Sequence, residues 1–403
     1  MFLDLLMRRN PRFVEAAIEL HQRGQVPANA YLLDLDAIER NARIFTDAAK
    51  KLGLSTFAMT KQVGRHSGFC HAVMRGGIIR SVAVDMACAV ACHRAGLKTG
   101  HLGHLVQVPR QEAEFAAAEL RPDYWTVFSD VKAKEAAAAS HKAGYVQALM
   151  ARIQAAGDIF YFGHEGGFDS KEILAVADRM DAVTGGYFAG ITTFPALLFD
   201  PEARKVAPTP NLTTLNHAAE LLARAGRTNI AINAPGTTSS IVLDALADAG
   251  ATQVEPGNGL HGTTPLHAVE DLPEDPALLY LSEVSHHHGG KAYCFGGGFY
   301  IDPVFPRYQV HALVSGSPTV DPSYLRNVEI PDSSAIDYYA MIDADSDTAP
   351  APGDTVIFGF RAQVFVTRAM VVGISGVDSG TPAVTAIENG FGDFVDWPGA
   401  YAP

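Results

Sequence analysis

The sequence predicts an α/β protein. A parallel (β/α)8 barrel of the TIM type is expected over residues 36–270 and an all-β domain over 271–403, with a helical extension over 1–30 ahead of both. Three observations predict it. From residue 31 to about 262, short apolar runs alternate with helix-length amphipathic segments, the rhythm of parallel strands joined by crossover helices. Counted from 54–60 to 252–254, the runs number about eight, which closes such a barrel. After about residue 272 the alternation stops, and strand-like runs succeed one another between Pro, Gly, Asp and Ser turns.

Composition bounds the function. The chain has 403 residues, with 31 Lys and Arg against 44 Asp and Glu, a net charge of −13; 48% are hydrophobic and 19% charged. Such a chain buries a core, so it is neither disordered nor collagen-like. Its acidity argues against nucleic acid or anionic membrane as the main partner. Four cysteines (Cys70, Cys88, Cys92 and Cys294) are too few for a disulfide scaffold. Cys88 and Cys92 read as two small buried residues of one helix face rather than half of a metal site, because no second CxxC-like pair follows. The first ten residues carry Asp4 within their apolar stretch and Arg8–Arg9 after it, the wrong order for a secretory signal. No apolar run approaches the roughly 20 residues of a membrane span. A cytoplasmic protein is expected.

The elements follow in order. Residues 31–35 form a short apolar strand. Asp36 then caps a helix, with Glu39 three residues on; Ile38, Ala42, Phe45, Ala49 and Leu52 repeat at helical spacing, and Gly53 ends it. Residues 54–60 are the first barrel strand, with Lys61 at its C-terminal end. Further strands are expected at 81–84, 101–105, 125–128, 148–153, 187–193, 229–233 and 252–254. Helices are expected at 131–142, 171–181, 211–225 and 239–249. The strand at 31–35 is one too many for the barrel and is assigned to the C-terminal β domain. That domain is expected to hold strands at 280–284, 292–295, 309–314, 355–358, 363–366 and 370–374. The last dozen residues read as a tail.

Three features carry chemistry. Lys61 lies where barrel active sites lie, at the C-terminal mouth of a strand, among Thr60, Gln62, Gly64, Arg65 and His66. Such a lysine can form a Schiff base once its pKa is depressed; a lysine at a strand end is equally a surface cation. Asn233-Ala234-Pro235-Gly236-Thr237-Thr238-Ser239 follows a late strand and opens a helix, so its backbone N–H groups and Thr hydroxyls form an anion cradle or simply an N-cap. Val254-Glu255-Pro256-Gly257-Asn258-Gly259 follows the last strand. Phosphate sites in barrels often use the loops after strands 7 and 8, so the two loops and Lys61 reinforce one another.

Together these residues resemble the alanine racemase fold, type III of the pyridoxal-phosphate enzymes, over nearly the whole chain. The runs Thr60-Lys61-Gln62, Gly103-His104-Leu105-Val106-Gln107, Asn233-Ala234-Pro235, Ser282-Glu283-Val284-Ser285-His286-His287 and Ser333-Ser334-Ala335-Ile336-Asp337-Tyr338-Tyr339 look most like its YhfX branch. The resemblance implies that Lys61 carries pyridoxal 5'-phosphate as an internal aldimine. It implies that Asn233, Gly236, Thr237, Thr238, Gly257 and Asn258 line the cofactor site, most of them holding its phosphate. It also implies a homodimer in which the partner's β domain completes each active site, so that residues near Cys294 and Asp337 approach the other subunit's Lys61.

The departures from the family are as informative. Alanine racemases set an Arg against the pyridine nitrogen at an R-P-G motif; here the motif is Glu255-Pro256-Gly257, as in related basic amino acid decarboxylases. A carboxylate keeps that nitrogen protonated and the ring a strong electron sink. The racemases' second base, a Tyr, falls at Phe295, which moves no proton; Cys294 is the first replacement, with Tyr293 and Tyr300 behind it. Thr192-Thr193 stands where relatives often have Thr-His. Arg65 stands where racemases have a phosphate-binding Tyr, and a guanidinium can take that role. Arg361 suits a substrate carboxylate or an interface salt bridge.

In the metal-dependent branch, with D-threonine aldolase and D-serine dehydratase, a His and a Cys bind a divalent metal. The comparable stretch here, Phe360-Arg361-Ala362-Gln363-Val364-Phe365, has neither, so no metal is expected. His286-His287-His288 alternate across a strand and are read as interface or pocket-rim residues. The reading is a racemase or epimerase acting at Cα of an amino acid. A lyase on the same cofactor (decarboxylase, aldolase or eliminase) is the alternative, and a non-enzymatic cofactor carrier the third.

Overall fold

The structure, a computed structural model, describes residues 1–300, 304–305, 308–332, 334–344 and 349–398. The chain forms two compact units: Ala42–Thr60 with Val73–Leu260, and Met1–Asn41 with Lys61–Ala72 and His261–Pro403.

The first unit is the barrel. Its parallel strands run Ser55–Thr56, Ala58–Met59, Arg80–Ala83, Lys98–Leu102, Tyr124–Val127, Gln147–Gln154, Gly186–Thr192, Ala231–Asn233 and Gln253–Val254. Ser55–Thr56 pairs with Gln253–Val254, while Ala58–Met59 pairs with Arg80–Ala83. These first two segments are halves of one run broken at Phe57, so the ring returns to its start with eight strand positions, all parallel. Leu102, Val127, Leu149, Met150, Ile191 and Val254 are buried in the apolar core of this unit, on one face of its strands or the other. The helices between strands follow ordinary capping rules; Ser129 Oγ, for example, accepts from Lys132 N at 3.3 Å and starts Asp130–Lys142. A short antiparallel hairpin, Leu197–Asp200 with Lys205–Pro208, is an addition the periodicity does not reveal.

In the second unit, six antiparallel strands close on themselves in the order Lys291–Phe295, Tyr339–Asp343, Leu325–Glu329, Val310–Ser315, Thr355–Phe358, Leu278–His288, the last pairing back to the first. Ala30–Asp34 then lies antiparallel to Leu278–His288 and parallel to Met370–Ser375, and Ala383–Glu388 ends the sheet. The extra N-terminal strand thus pairs with C-terminal strands. Helices Phe2–Arg9 and Pro11–Gln22 lay Leu3, Leu6, Phe13, Val14 and Ile18 onto Leu32, Leu279, Leu281, Ile357 and Val372.

Three expectations are corrected here. The cap of helix Leu35–Lys51 is Asp34, whose Oδ1 accepts from Asp36 N and Ala37 N, both at 3.1 Å; Asp36 instead accepts from Gly376 N. Residues 363–366 are no strand: Val364–Val366 is a 3-10 turn, closed by Thr367 N and Thr367 Oγ1 both donating to Val364 O. The presumed tail is partly built in, since Val395 N donates to Ile387 O and Val395 and Trp397 pack on the core; 399–403 lie outside the described residues.

Leu32 is fully buried at the centre of the second core. Leu32→Ala should cost about 2–5 kcal/mol, read as a lower urea midpoint with an unchanged slope; a change below about 0.5 kcal/mol would place Leu32 outside the cooperative core.

Candidate functional site

A buried carboxylate organises the barrel interior. His101 belongs to Lys98–Leu102, Thr126 to Tyr124–Val127 and Asn233 to Ala231–Asn233, while Glu255 directly follows Gln253–Val254. Lys98–Leu102 is not a ring neighbour of the two late strands, so contacts between His101 and these residues run through the interior of the ring. His101 Nδ1 lies 2.9 Å from Glu255 Oε1, and Asn233 Nδ2 donates to the same oxygen at 2.7 Å. His101 Nε2 bonds to Thr126 Oγ1. With its proton on Nδ1, His101 donates to the carboxylate and accepts from the threonine. His104 Nε2 lies 3.5 Å from Oε2. The facing atoms of His101, His104 and Glu255 fall within 4.8 Å of one another, close enough to share a metal ion. Burial pushes the Glu255 carboxyl up, but His104, His101 and Asn233 outweigh it and hold it below its ordinary value. A carboxylate this buried would otherwise cost several kcal/mol.

The two late loops meet beside it. A Cβ on Gly236 would sit 2.5 Å from Leu197 O, and one on Gly259 2.5 Å from Thr238 O. Both turns are therefore in backbone contact with a neighbour and take no side chain. Thr237 N donates to Leu197 O at 3.0 Å, and Thr238 Oγ1 to Gly236 O at 3.2 Å. That bond commits the Thr237 N–H, which the sequence assigned to the cradle. Ser239 precedes the turn Ser240–Val242, yet its hydroxyl makes no capping bond. Ser239 Oγ, Asn258 Oδ1 and Thr193 Oγ1 are buried without a hydrogen-bond partner. Buried polar groups are almost always paired, so these atoms mark a place for a polar ligand.

The remaining expected residues belong to the other unit. Lys61 opens the turn Lys61–Val63, with Nζ 5.6 Å from the Phe365 ring centroid. Arg65 is buried, with φ +59, lies over Phe365 and Phe391, and donates to Gly390 O at 3.0 Å. Asp337 pairs with Arg368 at 2.7 Å and accepts from Gly297 N. Tyr300 acts electrostatically on Tyr31, whose hydroxyl donates to Gly298 O at 2.5 Å. Cys294 is fully buried and its thiol is pushed up to about 12 by burial, which keeps it in the protonated form near neutrality. Half-exposed Tyr293 instead stacks on His286 at 4.7 Å. Ser333 lies outside the described residues.

Sequence reading missed four residues: His101, His104, Ser239 and the buried Arg152. The available signal was a polar side chain inside an otherwise apolar barrel strand. For His101 and Arg152 that pattern is visible once the inward-facing set is known.

Comparisons with known proteins agree on the family. Residues 33–265 match the alanine racemase N-terminal domain and 279–384 the YhfX-like C-terminal domain. The chain is 38% identical over 394 residues to the uncharacterized protein YhfX of Escherichia coli (strain K12), covering 98% of this chain and 99% of that one. Among solved structures, D-threonine aldolase from Filomicrobium marinum matches with a TM-score of 0.66 at 18% identity, over 91% of this chain and 95% of its own. D-threo-3-hydroxyaspartate dehydratase from Delftia sp. HT23 gives 0.66 at 17%, over 91% and 98%. Alanine racemase from Clostridium difficile 630 in complex with cycloserine gives 0.62 at 15%, over 91% and 99%. Enzymes of the alanine racemase family depend on pyridoxal 5'-phosphate. The barrel residues fit that group: Ser239 Oγ and the side-chain-free turns suit a phosphate, and Glu255 suits a ring nitrogen.

Because Glu255 is held below its ordinary value, its charge contributes stability above about pH 4.3, and that contribution is lost as pH falls through the lower folded value. The stability advantage of wild type over Glu255→Gln should therefore hold above about pH 4.3 and shrink as pH falls below it. An advantage unchanged over that range would show that Glu255 is not ionised in the folded protein.

Proposed function

The chain belongs to the alanine racemase family, with a YhfX-like C-terminal domain, and from that premise we propose that it is a pyridoxal-phosphate enzyme acting at Cα of an amino acid, as a racemase or epimerase. The observation that carries the reading is the buried Glu255 carboxylate, held below its ordinary value and with one oxygen saturated by His101 and Asn233. When bound, the cofactor supplies an electron-withdrawing ring that accepts the electron pair left at Cα. Lys61 holds the cofactor covalently and, once displaced, moves a proton at Cα. Glu255 keeps a proton on the ring nitrogen. Gly236, Thr238, Gly257, Asn258 and the unpartnered Ser239 hydroxyl hold the phosphate. Arg65, already bonded to Gly390 O between two rings, stiffens the segment after Lys61. Asp337 and Tyr300 lie on the β unit, which would serve the active site of a second subunit. Exposed Ile336, Tyr338, Phe391 and Phe394 on that unit suit such an interface.

The second reading is a lyase on the same cofactor. Glu255 favours it, because a strong electron sink serves bond cleavage at Cα or Cβ. Phe295 in place of the racemase Tyr favours it further.

Borohydride treatment of reconstituted protein, followed by peptide mapping, should find the cofactor on Lys61. Lys61→Ala should lose the visible absorbance; the same spectrum in that variant, without added amine, contradicts the assignment. In heavy water, a panel of D- and L-amino acids should show deuterium entering Cα together with the antipode. Release of carbon dioxide, ammonia or an aldehyde instead supports the lyase, and no exchange across the panel leaves the carrier. Sedimentation at micromolar concentration should give a dimer; an active monomer would end the shared-site arrangement.

No helix among the described residues is long and apolar enough to cross a membrane.

A further inference from the structure

The run 103–107 is built to place one side chain. Gly103 has φ +81, and a Cβ there would lie 2.5 Å from Thr126 O, so the chain turns hard against Tyr124–Val127. Gln107 locks the turn: Nε2 donates to Gly103 O at 2.7 Å and Thr126 O at 3.1 Å, while Oε1 accepts from Phe128 N. His104 is thereby folded back into the barrel, 1% exposed, its ring 5.2 Å from that of His101 and edge-on to Phe194. Its carbonyl accepts from Arg152 Nη1 at 3.3 Å. Arg152, itself fully buried, also donates to His164 O and Phe194 O. It therefore ties together the ends of three strands.

The two oxygens of Glu255 are unequal. Oε1 accepts two N–H bonds. Oε2 faces His104 Nε2 at 3.5 Å, beyond hydrogen-bond range for that geometry. We propose that His101 and His104 are positioning residues: they fix Glu255 in one orientation and reserve Oε2 for a protonated aromatic nitrogen of the bound cofactor. His101 saturates the first oxygen. The His104 ring, wedged between His101 and Phe194, blocks rotation of the carboxylate and keeps water from the second. The proposal rests on the cofactor reading above for the ligand, but not for the geometry of the three side chains.

Two measurements separate those claims. In cofactor-free protein, carbon-13 NMR of the Glu255 carboxyl follows its ionisation; the ionisable groups acting on it are His104 and His101. His101→Phe should raise the titration midpoint by about one pH unit or more, and His101→Gln, which keeps a donor, should restore most of the shift. In protein loaded with nitrogen-15 pyridoxal phosphate, the ring nitrogen should resonate as protonated in wild type and move toward the neutral position in His101→Phe and in His104→Leu. If His101→Phe does not fold, His104→Leu carries both measurements. An unchanged carboxyl titration overturns the positioning role, whatever binds. A shifted titration with no cofactor bound overturns the cofactor reading alone and leaves the positioning role standing. A shifted titration with an unchanged nitrogen-15 resonance overturns the assignment of Oε2.

Discussion

A negative charge with no access to water must be surrounded by donors, and the barrel is arranged around that requirement at Glu255. The donors come from opposite sides of the ring. His101 reaches it from Lys98–Leu102, across the ring, and Asn233 from the adjacent Ala231–Asn233. Removing one partner of such a group costs far more than the net worth of the bond. The register of the early and late strands is therefore coupled: a slip of either would leave the carboxylate bare or turn His101 to the outer face. Thr126 extends the chain of bonds to a third position in the ring.

The same arrangement bears on chemistry. The family spans racemases, aldolases and dehydratases on one scaffold, so the fold alone does not choose among reactions. The choice lies in which side chains point inward. A guanidinium at the position of Glu255 would need acceptors; the carboxylate needs donors, and this barrel supplies histidine and asparagine.

Much of the fold was legible because period-two and helical patterns are strong in a barrel. The surplus strand at 31–35 could be assigned away from the ring by counting alone. What was not legible has identifiable causes. Leu325–Glu329 and Tyr339–Asp343 are half-polar strands of a small closed sheet, and they present little apolar alternation. Asp34 displaced Asp36 as the cap because the strand ends one residue earlier than its hydrophobicity suggests. Val364–Val366 has strand-like residues but is held as a turn by Thr367. Glu255 was readable from its loop. His101 was not, since a histidine within a buried strand carries no local signal until its partner across the ring is known. Cys294 was singled out by its type, and its burial, which holds the thiol protonated, could not be read from the sequence.

The strand Ala30–Asp34 has both of its partners far downstream, in Leu278–His288 and Met370–Ser375. On a ribosome this strand emerges early, and its second neighbour is translated roughly 20 to 70 seconds later at about 5–20 residues per second. Until Leu278–His288 is made, the first two helices, with their apolar faces, have no sheet to cover. The barrel strands between 55 and 254 need nothing from outside their own span to close their ring. Synthesis thus leaves the apolar faces of Phe2–Arg9 and Pro11–Gln22 waiting while the barrel strands can already pair with one another.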